Sequence, residues 1–425
     1  MKPSGALTQT YPADAGTHVG SLAVSQKGIG TDHSFPLWPP LPFGSPIGEP
    51  DGVETAVEVD FDYARVPHSL FLEPVCAGLD RWAPLLPPLV PKISLGEGAT
   101  PLIEAPELRA WANIPGRVMI KDESRNPTWS HKDRLNRIAV GTGLQVGAQG
   151  IAVASTGNHG ISAAAYAAKA GLPCIVLSLD SISSAAATML SAFGAKAVVA
   201  PLDQRWSFIK RLVDEKGFHS VSNMTTYHTG HPFGPEGYKT IAYEIFLDLG
   251  RRVPSCVVVP TGYGELLYGI QKGFQELRIL GLTSRIPRMV SVEPASCGPI
   301  ARALAEGRRA VRIALGETAA VAIATPVGGV RGTAALRNSD GIALLVDDTA
   351  AFEAQEIAAK AGHFMEVSSA AAVAGLRILA QEYIDTIDDI VVVQTSTGLK
   401  GEPTSNSKPV KIANWADLQT VLGLT

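Results

Sequence analysis

Lys121-Asp122-Glu123-Ser124-Arg125-Asn126-Pro127-Thr128-Trp129-Ser130-His131-Lys132-Asp133-Arg134 is the stretch on which the reading of this chain turns. The apolar run before it, Arg117 to Ile120, reads as a strand. Asn126 and Pro127 mark a turn, and an amphipathic run follows from Asp133 to Val146. Lys132 therefore falls where a loop becomes a helix. Free N–H groups and a partial positive charge gather at such a start. That field disfavours a second positive charge and pushes an amine toward its neutral, nucleophilic form.

Outward from this stretch, strands and helices alternate. Strand-like Gly150 to Ala154, Pro173 to Leu179 and Ala195 to Ala200 each lead into a helix-like run: Gly160 to Ala170, Ser183 to Phe193 and Arg205 to Lys216. A second series runs through helix Glu236 to Leu249, strand Ser255 to Pro260, helix Leu266 to Leu280, strand Arg288 to Glu293 and helix Pro299 to Glu306. It closes with strand Gly341 to Val346, helices Thr349 to Ala361 and Ser369 to Glu382, and strand Asp389 to Gln394. Alternation with short connections implies parallel sheets with right-handed crossovers, an α/β fold. Helix is also expected over Ser69 to Leu86.

The chain has 425 residues, of which 46% are hydrophobic and 18% charged, ample for a large core and for two domains. A net charge of −4 offers no basic surface to nucleic acid. The longest apolar runs are too short to span a bilayer. Met1 to Ser25 lacks the apolar core of a secretory signal. Cys76, Cys174, Cys256 and Cys297 are too scattered for a disulfide framework or a metal site, so a cytoplasmic protein without a metal is expected. Residues 1–55 are rich in Pro, Gly and Ser and read as an extended arm, either wrapping the body or partly disordered. Phe35, Leu37, Trp38, Leu41 and Phe43 favour docking, on this chain or on a partner subunit.

Three further segments have the form strand, small-residue turn, helix or polar end. Ser155-Thr156-Gly157-Asn158-His159-Gly160 leaves a strand and opens a helix, where free N–H groups suit a carboxylate. Thr261-Gly262-Tyr263-Gly264-Glu265-Leu266 follows Val257-Val258-Val259-Pro260, and its small residues let backbone N–H groups curl around a phosphate. Position 267 is Leu, where a dinucleotide fingerprint needs a third Gly. Thr395-Ser396-Thr397-Gly398-Leu399-Lys400 ends the last strand.

Together these segments resemble the threonine synthases, members of the tryptophan-synthase-β-like (fold type II) pyridoxal phosphate (PLP) enzymes. The likeness lies in the Lys132 stretch, in Gly96-Glu97-Gly98-Ala99-Thr100-Pro101-Leu102, in the Asn158 loop, in the glycine loop with its downstream Gly269 to Leu277, and in the 395–400 end. It spans roughly residues 90 to 400 by motif position.

The resemblance implies two αβα domains with the cofactor in the cleft between them: residues 56–145 and 225–425 as the large domain, and 146–224 as the small one. It implies that Lys132 forms the Schiff base with PLP beside His131, and that Asn158 bonds the cofactor's 3′ oxygen. Residues Thr261, Gly262, Tyr263, Gly264, Glu265 and Leu266 would cradle the phosphate. Thr395, with Ser396 as second choice, would face the pyridine nitrogen. Ser155, Thr156, Gly157, Asn158 and His159 would hold the substrate carboxylate. It also implies an amino acid substrate, elimination or replacement at its β or γ carbon, and a homodimer.

Several residues depart from the family pattern. The Asn, Ser and Arg of the run that grips a substrate phosphate are replaced by His228, Thr229 and Gly234. The fixed cation that suits a phosphate is gone. His228 and His231 either contact a different substrate group, titrate near neutrality, or are ordinary loop histidines. Glu265 stands where the family has Gly, and a carboxylate aimed at a phosphate would repel it; either it points away or the loop has changed shape. Trp129 would crowd the substrate side or stack on an aromatic substrate. Elimination or β-replacement on a non-phosphorylated substrate is therefore expected ahead of threonine synthesis, with an ammonia-lyase activity as an alternative. A non-catalytic relative is a further reading, against which the retained Lys132 argues.

Overall fold

The computed structural model describes residues 20–382, 388–401, 411, 413 and 415–422. Its strands and helices run, in chain order, β1 (Ala23–Gly28), β2 (Ser34–Pro36), β3 (Val57–Phe61), β4 (Leu102–Glu104), α1 (Pro106–Ala112), β5 (Val118–Asp122), α2 (Lys132–Gln145), β6 (Ile151–Ala154) and α3 (Asn158–Ala170). There follow β7 (Cys174–Ser178), α4 (Ser184–Ala192), β8 (Lys196–Val199), α5 (Arg205–Lys216), β9 (His219–Ser220), α6 (Lys239–Asp248), β10 (Cys256–Pro260), α7 (Glu265–Ile279) and β11 (Arg288–Pro294). The last are α8 (Pro299–Ala305), α9 (Val330–Arg337), β12 (Ile342–Val346), α10 (Asp348–Lys360), α11 (Val367–Glu382), β13 (Ile390–Gln394) and α12 (Trp415–Leu422).

Three sheets result. The largest has the order β12-β11-β10-β13-β5-β4, parallel except for the edge strand β4. Its inner strands β10, β13 and β5 are buried along their whole length, as continuous apolar runs covered on both faces must be. A second, parallel sheet has the order β8-β7-β6-β9 and is drawn from residues 151–220. The third is antiparallel, β2-β1-β3. No helix of the described residues is long and apolar enough to cross a membrane.

Two expectations need correction. The stretch 69–86 is not one helix but two short 3₁₀ turns, His68–Phe71 and Asp80–Leu85. Pro74 between them cannot donate a helical hydrogen bond, and Gly78 takes a left-handed φ of 90°. The arm, from residue 20 on, is folded rather than merely extended, while residues 1–19 lie outside the described residues. Its proline segment offers carbonyls but few N–H groups, and one side chain serves it. The fully buried Gln26 amide reaches the carbonyls of Pro36, Leu37 and Pro39 at 2.9, 3.0 and 2.9 Å, and accepts from the Leu41 amide at 2.9 Å. Trp38 sets its ring edge-on to Phe233, centroids 5.5 Å apart.

The sheets place the motif segments together. β5, β6, β10 and β13 each end, at the carboxyl side, in one of the four segments read from the sequence. This is where open parallel sheets bind ligands.

Candidate active site

Lys132 is the first residue of α2 and is half-buried. Its amine lies 3.2 Å from the Tyr238 hydroxyl. Burial drives its pKa below the ordinary lysine value, while the carboxylates of Glu265 and Glu366 pull it back part of the way. The helix start is braced from within: Asp133 accepts from the amide and hydroxyl of Thr128 and from Ser162 at 2.6 Å. Arg134 is buried between Glu123 and Glu244, with contacts of 2.7 and 2.6 Å. His131 packs against Tyr238 with centroids 5.5 Å apart, and its Nδ1–H donates to the Thr395 carbonyl at 3.2 Å.

The end of β13 is tied to the lysine stretch. The Ser396 hydroxyl lies 2.9 Å from the Trp129 carbonyl and 3.1 Å from Oδ1 of Asn158. Ser369 Oγ accepts from the amides of Thr395 and Ser396. Its own proton therefore goes to Thr395 Oγ1, 2.6 Å away. The Thr395 hydroxyl keeps its own hydrogen, which it directs to Glu366 Oε1 at a long 3.5 Å.

The amides of the Asn158 loop are available. Gly157 donates to Ser155 Oγ at 3.2 Å, but among the described residues none accepts from the amides of Thr156, Asn158, His159 or Gly160. His159 itself is anchored. Its Nε2–H donates to the Val221 carbonyl at 2.9 Å, and burial pushes its pKa down to about 4, so the ring is neutral.

The loop after β10 passes the test for a phosphate. Among the described residues none accepts from the amides of 262 to 267, and they cluster at the start of a 15-residue helix. Gly264 has a φ of 91°, and a Cβ there would lie 2.6 Å from the backbone of Gly332. Glu265 does not cover these amides. Its side chain extends to Gly230, which leaves room for it by having no Cβ and a φ of 63°. No described side chain closes a hydrogen bond or ion pair on this carboxylate. Burial raises its pKa, but the surrounding His228, Lys132, Arg331 and His159 outweigh that and hold it below the usual value.

The histidines of the 228–234 turn part company. The ring of His228 stacks on Tyr263, centroids 4.0 Å apart and 13° from parallel. His231 is consumed by the turn: its Nδ1 accepts from the amides of Phe233 and Gly234 at 3.0 and 2.8 Å. Its Nε2 must then carry the proton, which goes to His219 Nε2 at 2.8 Å. Trp129 has a left-handed φ of 61°, and its ring is 50% exposed. It lies in a shallow groove with Met189 and Leu399 whose lining does not include Lys132.

Sequence reasoning did not single out Tyr238, Glu366, Ser369, Arg205, Trp206 or His219. Tyr238, Ser369, Arg205 and Trp206 stand inside helices read from periodicity, Glu366 and His219 fall between elements, and only the fold brings them near the site.

The carboxyl ends of parallel strands in two sheets, with a half-buried amine and a row of free amides for a phosphate, define a cofactor-dependent α/β enzyme. The chain belongs to the pyridoxal-phosphate dependent enzyme family, whose model matches residues 93–396. Its cofactor is pyridoxal 5′-phosphate. The chain is 34% identical to the threonine synthase of Methanocaldococcus jannaschii, over 75% of this chain and 80% of that one. It is 31% identical to the threonine synthase of Methanosarcina acetivorans, over 82% and 86%. Among solved structures it is similar to the T.th. threonine deaminase, with a TM-score of 0.60, 23% identity, and 74% and 97% of the chains covered. It is also similar to a fungal L-serine ammonia-lyase from Rhizomucor miehei, with a TM-score of 0.62, 20% identity, and 71% and 94% covered. These structural likenesses establish the fold, that of the fold type II enzymes.

Proposed function

We propose that this enzyme eliminates or replaces a group on the β or γ carbon of an amino acid, and that its substrate is not a phosphate ester. The observation that carries the second half is the 228–234 turn. It bears no Arg or Lys of its own, its His228 is a neutral ring pressed on Tyr263, the buried Arg331 guanidinium that reaches it is bonded to its Thr229 carbonyl, and Glu265 sets a carboxylate beside it. An Arg or Lys is the natural partner of a substrate phosphate.

In this reading Lys132 holds the cofactor and its phosphate rests on the amides of 262 to 267. The cofactor, once bound, supplies an electron sink for the pair left when the Cα proton departs. The amine of Lys132, biased toward its neutral form, takes that proton. The free amides of the Asn158 loop orient the substrate carboxylate, and Thr395 donates a neutral hydroxyl toward the ring, with Ser396 holding Asn158 in place. We further place residues 146–224 in a smaller domain, and expect a cytoplasmic homodimer.

The test is a spectral and product assay on purified protein loaded with PLP. A visible cofactor band should be present and should vanish in Lys132→Ala. Amino acids with a substituent on Cβ should perturb it and give a keto acid or an exchanged product. Release of inorganic phosphate from homoserine phosphate as the principal reaction would instead make the chain a threonine synthase.

A further inference from the structure

Glu265 occupies a position that the cofactor loop does not require to be charged. It opens α7, yet its side chain turns off the loop and ends beside Gly230, within the electrostatic reach of Lys132 and His228. Among the described residues nothing neutralises it by direct contact. Arg331, the nearest buried guanidinium, is already spent on the carbonyls of Thr229 and Val57. A carboxylate that no side chain contacts keeps its acceptor sites open for a charged group that arrives beside it.

Beside it lies the ring of His228, which begins a cluster of three rings. His228 and Tyr263 are stacked, and Trp206, at the start of α5, sits 6.3 and 6.1 Å from them. Aromatic faces beside a carboxylate attract a cation. One cation of the protein is close by: Arg205 acts on Tyr263 from the α5 side, and its Nε has no hydrogen-bond partner. Glu265, by contrast, opens α7 directly after the glycine loop, and its tip lies beside Gly230 of the 228–234 turn.

We propose that Glu265, with the rings of His228, Tyr263 and Trp206, selects the side-chain group of the substrate, and that this group is positively charged. The preferred substrate is then an α-amino acid with a second, protonated amine on Cβ or Cγ. The proposal rests on the reading of the chain as an enzyme acting on amino acids without a phosphate. It goes beyond that reading in giving the sign of the substrate's charge.

The experiment is an equilibrium titration of the PLP-loaded enzyme, read from the cofactor band, with 2,3-diaminopropionate, serine and O-phosphoserine. A charge-assisted contact gives a preference of roughly ten- to a hundredfold for the diamino acid over serine. O-phosphoserine should bind more weakly than either. Glu265→Gln should lower diamino acid affinity far more than serine affinity and so remove the preference, both measured on the fraction of enzyme that carries cofactor. Trp206→Leu, a half-buried residue outside the loop, should reduce diamino acid affinity alone, and it serves if the Gln variant loses cofactor. Equal affinity for serine and the diamino acid overturns the proposal and leaves the broader reading standing, whereas tighter binding of O-phosphoserine through Arg205 overturns both the proposal and the exclusion of a phosphate ester. No response to any amino acid overturns that broader reading instead.

Discussion

The side-chain amide of Asn158 donates to both carboxylate oxygens of Glu366, at 3.2 and 3.0 Å, so the first residue of α3 and the residue that precedes α11 are joined across the cleft. Glu366 is one of two carboxylates acting on the Lys132 amine, and burial raises its own pKa. Removing its charge disfavours the ammonium form of Lys132. Glu366→Gln should therefore shift the pH profile for capture of PLP by the apoenzyme to lower pH. Stopped-flow absorbance at a series of pH values checks this.

Gly264 admits no side chain. Its φ of 91° costs an ordinary residue about 1–2 kcal/mol, and a Cβ would press on the Gly332 backbone. Gly264→Ala should distort the amides that face the phosphate and weaken PLP binding by roughly tenfold or more. A fluorescence titration of the apoenzyme with PLP measures it.

Acid should unfold this protein early. His228 is buried and His159 and His219 are half-buried, all three pushed down to about 4, and His131 and His231 fall well below the ordinary value of 6.5. Between pH 6.5 and 4 the unfolded chain binds these protons and the folded chain does not. Stability is therefore complete above about 6.5 and drains away as the pH falls, by up to about 3 kcal/mol for each of the first three. Urea midpoints recorded from pH 7 to 4.5 should drop steeply. His219→Gln, which keeps an acceptor for His231, should flatten that drop by one proton's worth.

Arg331 should be intolerant of an apolar replacement. Its buried guanidinium donates to the carbonyls of Thr229 and Val57, joining the substrate-side turn to β3. Arg331→Met would strand both acceptors and cost about 2–4 kcal/mol, seen as a lower thermal midpoint.

The body of the fold was legible because its strands are short apolar runs separated by helices of clear period, and the four polar segments fall at strand ends. Lys132, Asn158 and the glycine loop were found for that reason. What escaped has a physical cause in each case. The β1–β3 sheet hides in a proline-rich stretch because its carbonyls are satisfied by the side chain of Gln26, which no periodicity reveals. The 69–86 stretch has helical composition, but Pro74 breaks it. α9 was missed because Gly328, Gly329 and Gly332 read as loop. Trp206 and Arg205 reach the cleft only because α5 is set against the turn bearing His228, a long-range placement. The direction of Glu265 depended on Gly230, a contact between residues 35 positions apart.

Because Val57 is held to Thr229 through Arg331, the wall of the cleft opposite α5 is buttressed from behind by chain that lies ahead of the family-matched region, 93–396. An excised fragment beginning at residue 93 would keep the cofactor lysine and the glycine loop but lose that buttress. It would also strip Phe71 and Trp82 from the ring of Tyr243, so the segment ahead of the matched region is part of the core of this enzyme and not an appendage to it.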